Sequence, residues 1–211
     1  MNKSISESDY QRISGLAYRE LIDQGCNQFL IRPTEFTFPD REIVIASMQY
    51  YARLTGTPIE RLLPVGCRDG YVYRNTRPGL DLILYNAKSS IMRMRFTVAH
   101  EIGHARLKHR VHTPREEAEA HLFACQLLAP DVIMQRLKDM GVVLNPAIIA
   151  SMCGLSISAA EHKFADFSTC ENMKTEYDEA ILRSFGNYVG LFMRRRPLTR
   201  YEASHCDIAI D

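Results

Sequence analysis

The sequence predicts a helix-rich α+β fold. Three observations carry that expectation: amphipathic stripes near the start, a turn-bounded pair of short strands after residue 70, and an apolar period of 3.6 from residue 89 onward. A length of 211 residues, 46% of them hydrophobic, suffices for one domain with a sizeable core.

Taken in order, residues 8–24 read as a helix, with Tyr10, Ile13, Leu16, Ala17 and Leu21 on one stripe and Gly25 where a C-terminal cap falls. The spacing predicts a second helix over 40–54, with Pro39 near its start, Ile43, Ala46, Met48, Tyr50 and Leu54 within it, and Gly56 just beyond. After a loop-like stretch over 57–70, Tyr71-Val72-Tyr73 and Leu82-Ile83-Leu84-Tyr85 flank the turn-rich Asn75-Thr76-Arg77-Pro78-Gly79, the pattern of a β-hairpin or part of a small sheet. Helices are then expected at about 90–109, 114–128, 131–140, 146–152, 156–167 and 174–185, followed by a short strand at 188–192. The expected organisation is one main unit over 1–170, with a C-terminal helix and tail over 171–211.

Composition narrows the function classes. Lys and Arg total 26 against 25 for Asp and Glu, so a formal charge of +1 creates no global field to draw in nucleic acid or an anionic membrane. The first ten residues lack the apolar core of a signal peptide, and no apolar run approaches the ~18 residues of a membrane span. The expected location is the cytoplasm. Six cysteines lie far apart with no Cys-x-x-Cys pair, which points to free thiols rather than a zinc ribbon or redox dithiol.

The chemistry concentrates at His100-Glu101-Ile102-Gly103-His104. Residues four apart on a helix differ by about 40° in direction, so the two imidazoles project side by side and can share one metal ion. Glu101, rotated by about 100°, places its carboxylate where a general base for hydrolysis belongs. Phe96, Ala99, His100, Gly103, His104 and Leu107 form one inward stripe, so both histidines face the interior. A catalytic zinc takes three protein ligands, and the next helix offers candidates for the third. Thr113-Pro114-Arg115-Glu116 matches a capping box, which gives Glu116 a structural role. Glu117 groups with Ala120, His121 and Ala124 on what reads as a solvent face. Glu119 shares its face with Leu122, Phe123 and Gln126 and is the carboxylate expected to turn inward to the metal. The sequence therefore predicts one zinc per chain on His100, His104 and Glu119. The metzincin pattern is absent, since Leu107 and Arg110 stand where its Gly and third His would be. His109, five residues past His104, reads as a supporting or surface residue.

Residues Arg95-Phe96-Thr97-Val98-Ala99-His100-Glu101-Ile102-Gly103-His104 and Glu119-Ala120-His121-Leu122-Phe123-Ala124-Cys125-Gln126-Leu127-Leu128-Ala129-Pro130 together resemble the ImmA/IrrE family of metallopeptidases. The likeness runs over about 40–168 and includes a strand similar to Ile83-Leu84-Tyr85-Asn86. It implies a zincin-like domain with a small sheet beside the active-site helix, zinc on His100, His104 and Glu119, and Glu101 as base. It also implies proteolysis of a regulatory protein, especially a phage or mobile-element type repressor. The family carries Asn or Asp two residues after the ligand Glu, whereas this chain has His121. The group stabilising the oxyanion stays open among Tyr85, His109, His112 and His121. The substrate is expected to pair in extended form along an exposed edge at Leu82, Ile83, Leu84 and Tyr85.

Two other classes compete. Residues 146–156 followed by 157–167 have helix-turn-helix spacing, yet the second helix carries two acids and one Lys, a poor reader of DNA. Direct nucleic-acid binding is not expected from it, nor from the Arg194-Arg195-Arg196 run with Arg200. A catalytically silent metal-binding or interaction protein would retain the same motif.

Overall fold

The computed structural model describes residues 5–39, 42–63, 69–74, 79–111, 113–169 and 173–195. Its elements run α1 (Glu7–Asp23), β1 (Ile43–Ser47), α2 (Met48–Thr55), β2 (Gly70–Arg74), β3 (Asp81–Tyr85), α3 (Ile91–Arg106), α4 (Pro114–Leu128), α5 (Asp131–Asp139), α6 (Pro146–Cys153), α7 (Ile157–Thr169) and α8 (Asp178–Arg195). The fold is helix-rich α+β, with one three-stranded mixed sheet ordered β1-β3-β2.

The helix expected over 40–54 divides in two. Ile43, Val44 and Ile45, three β-branched residues in a row, pair in parallel with Asp81, Leu82 and Ile83, and Ser47 then caps α2. A local stripe gave way there to a partner strand distant in sequence. A second correction concerns the substrate edge. Leu82, Ile83, Leu84 and Tyr85 pair with β1 on one side and with β2, antiparallel, on the other, so β3 is the middle strand and offers no free edge. Among the described strands the outer one beside the site helix is β2. The strand expected at 188–192 lies inside α8, whose Ile181, Phe185 and Val189, spaced i, i+4, i+8, are buried in the main core.

Three joints position α3 and α4. Thr113 and Glu116 form the expected capping box with Pro114 at the first helical position. A Cβ on Gly103 would lie 3.1 Å from Phe123 Cβ and 3.2 Å from the Ala120 backbone, so the missing side chain lets the two helices touch. Arg95, buried in α3, donates to the carbonyls of Ile31 (2.6 Å), Cys153 (3.0 Å) and Gly154. The cation thereby ties α3 to the last carbonyls of α6, where the helix dipole favours positive charge.

The helix-turn-helix spacing is real: α6 ends at Gly154 with φ 62°, and α7 packs back on it. Lys163, the base of the second helix, is buried with its Nζ 2.6 Å from Asp131. Its charge is directed into the protein and away from any phosphate. No helix among the described residues is long and apolar enough to cross a membrane.

Candidate metal centre

His100 and His104, one turn apart on α3, bring their Nε2 atoms within 3.0 Å of each other. The carboxylate that meets them is Glu117, with Oε2 3.2 Å from His100 Nε2 and Oε1 3.5 Å from His104 Nε2. A tetrahedral zinc with bonds of about 2.0–2.1 Å spaces its ligand atoms roughly 3.4 Å apart, so these separations already outline one face of such a site. The donor set, two imidazoles and a carboxylate, is the chemistry zinc takes. His104 is buried, His100 half-buried, and the Glu117 side chain is 44% exposed, as suits a ligand at the rim of a cleft. Burial holds the His100 imidazole below its ordinary pKa, so it stands neutral with a lone pair for a cation.

Glu119, expected as the third ligand, is buried but faces the other way. It takes Arg115 at 2.9 Å, Arg12 of α1 at 3.4 Å and His109 at 3.2 Å. Burial pushes its carboxyl up, yet the hydrogen bonds from Arg115 and His109 outweigh this and leave it below the usual value. The physical reason for the difference is that α4 packs between α1 and α3, so two of its faces are covered. Glu117, Ala120 and Ala124 lie on the α3 side, and Glu119 turns toward α1. A signal for this was present: Gly103 on α3 and Ala120 on α4 are the small residues that a close helix crossing demands, and Glu117 lies on the Ala120 stripe.

Glu101 is buried and, with His100, lines a cleft of about 680 Å³. Its other walls include Gly70 at the start of β2, Met92, Phe96 and Leu155. The edge strand and the candidate base therefore border one space. Of the residues weighed for the oxyanion, His109 is buried against His104, with Nδ1 atoms 3.0 Å apart. His121 lies across the Phe96 ring at 5.3 Å, and Phe96 in turn stacks at 6.2 Å on His100, so an aromatic ring separates His121 from the pair. Tyr85 closes β3 opposite Gly70 and packs against the core. His112 lies outside the described residues.

The model of the family described as the IrrE N-terminal-like domain, a peptidase family, matches residues 60–165, which span His100, Glu101, His104, His109, Glu117 and Glu119. No curated protein and no solved structure is matched by the chain.

Proposed function

The chain belongs to the IrrE N-terminal-like peptidase family, and from that premise we propose that it is a zinc-dependent endopeptidase whose metal is held by His100, His104 and Glu117. The observation that carries this reading is the convergence of two imidazole nitrogens 3.0 Å apart with the two oxygens of Glu117 at 3.2 and 3.5 Å from them, a donor set and spacing that one small cation spans. Zinc bound there supplies Lewis-acid polarisation of the scissile carbonyl. Glu101 takes the proton of the attacking water at its carboxylate and returns it to the leaving amine. The outer edge of β2 holds an extended peptide by backbone hydrogen bonds, with Gly70 leading it into the cleft beside His100 and Glu101.

The substrate we propose is a helix-turn-helix repressor, met in the cytoplasm and cut at a flexible segment. The family likeness supports the repressor class, and the strand edge explains the need for an unfolded stretch, because an intact helix has no free backbone groups to pair. The test is zinc content together with cleavage of a repressor encoded beside this gene. The parent should bind one zinc and cut the repressor, and Glu101→Gln should keep the zinc while losing about 10²–10⁴-fold in rate. Full activity in that variant removes Glu101 from its role. Bound zinc with no cleavage of any protein favours a silent metal-binding protein instead.

A further inference from the structure

Helix α3 ends in a Schellman motif: the amide of Lys108 donates to the Ala105 carbonyl at 3.1 Å, and that of His109 to the His104 carbonyl at 3.0 Å. The residue at the turn must be left-handed, and it is Lys108 with φ 57° rather than a glycine. That left-handed turn reverses the chain at the end of α3. What it positions is His109, which leaves the helical path and folds back beneath His104.

The hydrogen-bonding pattern of this cluster has one self-consistent assignment once His104 offers its Nε2 lone pair to a cation. Its proton then sits on Nδ1 and faces His109 Nδ1 at 3.0 Å, which must accept. The His109 proton therefore sits on Nε2 and is donated to Glu119 Oε2 at 3.2 Å. The other Glu119 oxygen takes Arg115 Nε at 2.9 Å, and Arg115 in turn reaches Asp9 at 3.0 Å. Every member from His104 to Glu119 is buried, which shields these bonds from solvent. His100 is held differently, since its Nδ1 is buried without a partner among the described residues and its ring rests on Phe96.

We propose that His109 is a positioning residue for the metal centre, locking the tautomer and ring plane of His104 through a buried His104–His109–Glu119 relay. The inference rests on the zinc reading above. It also accounts for the burial of Glu119 on the α1 side, whose carboxylate anchors the relay and supports a ligand without being one. The relay inserts a second imidazole where metal-binding histidines ordinarily meet a carboxylate or carbonyl directly.

The experiment uses the full chain and measures zinc affinity by competition with a chromophoric chelator, and the visible spectrum of the cobalt-loaded protein. His109→Leu removes the acceptor and should weaken zinc about 10–100-fold and alter the cobalt spectrum. His109→Asn, whose side-chain oxygen stands near the Nδ1 position, should recover most of the affinity, a rescue that packing alone does not provide. A leucine variant with parental affinity and spectrum overturns the proposal, as does an asparagine variant no better than leucine. Should the leucine variant fail to fold, Glu119→Gln carries the test: about 10-fold weaker zinc supports the relay, and parental affinity overturns it. If the parent itself binds no zinc, the zinc reading falls and the relay with it.

Discussion

Two polar clusters flank α4, and they are built in opposite senses. At one, Lys163 meets Asp131 at 2.6 Å, and Gln126 links Tyr18 at 2.9 Å and Tyr10 at 2.8 Å to the same carboxylate. The opposite charges of Lys163 and Asp131 cancel within the protein. At the other, two imidazole nitrogens lie 3.0 Å apart, and the two oxygens of one carboxylate lie 3.2 and 3.5 Å from them. Each of these residues can turn a lone pair to the shared point, the donor set that the proposed cation would bridge. Every residue of the first cluster is buried, whereas the second opens at Glu117, so the difference teaches that a closed, internally paired network is structural and that an accessible group of convergent ligand atoms is a candidate binding site.

The comparison is most exposed at Lys163. Lys163→Met leaves Asp131 charged and without its cation, which costs about 3–5 kcal/mol in chemical denaturation while zinc stoichiometry stays at one. If that variant loses metal before it loses stability, the two clusters are not separate. Next in size is Glu117→Gln, which should weaken zinc by more than about 100-fold, beyond the effect expected for a supporting residue such as Glu119. Equal or reversed losses at Glu117 and Glu119, read in the same chelator competition, would return Glu119 to the ligand set. The smallest effect belongs to Gly103→Ala. The new methyl meets Phe123 and the Ala120 backbone at 3.1–3.2 Å, so α3 and α4 must part by a few tenths of an ångström. We expect a loss of roughly 1–3 kcal/mol in stability. A measurable weakening of zinc should accompany it, because Glu117 and the histidines sit on opposite sides of that crossing. Unchanged affinity at reduced stability would show that the crossing supports the core and not the site.

Much of this protein was legible in one dimension. The Thr113-Pro114-Arg115-Glu116 box marks the start of α4, the pair His100 and His104 follows from the helical period, and Gly25, Gly56 and Gly154 fall at helix ends with φ of 65°, 69° and 62°. These are local properties, decided by residues within about a turn of one another. The helix expected over 40–54 does not form as one piece because Ile43, Val44 and Ile45 take their hydrogen bonds from β3, nearly forty residues on, and no local pattern records that pairing.

The same division explains the candidate third ligand. That the helix after the histidine pair opens with three carboxylates, Glu116, Glu117 and Glu119, was legible in the sequence, since helix order and period are local facts. Which carboxylate joins the histidines was decided by tertiary structure. Glu117 and Glu119 project in nearly opposite directions, and α4 is covered on one side by α3 and on the other by α1, so either residue could have been the inward one. The choice came from the close contact of Gly103 with Ala120, which draws the Glu117 face onto the histidines, and from Arg12 and Arg115, which neutralise Glu119 on the far side. A helix period states which residues share a face. Only the packing of neighbouring elements states what that face meets.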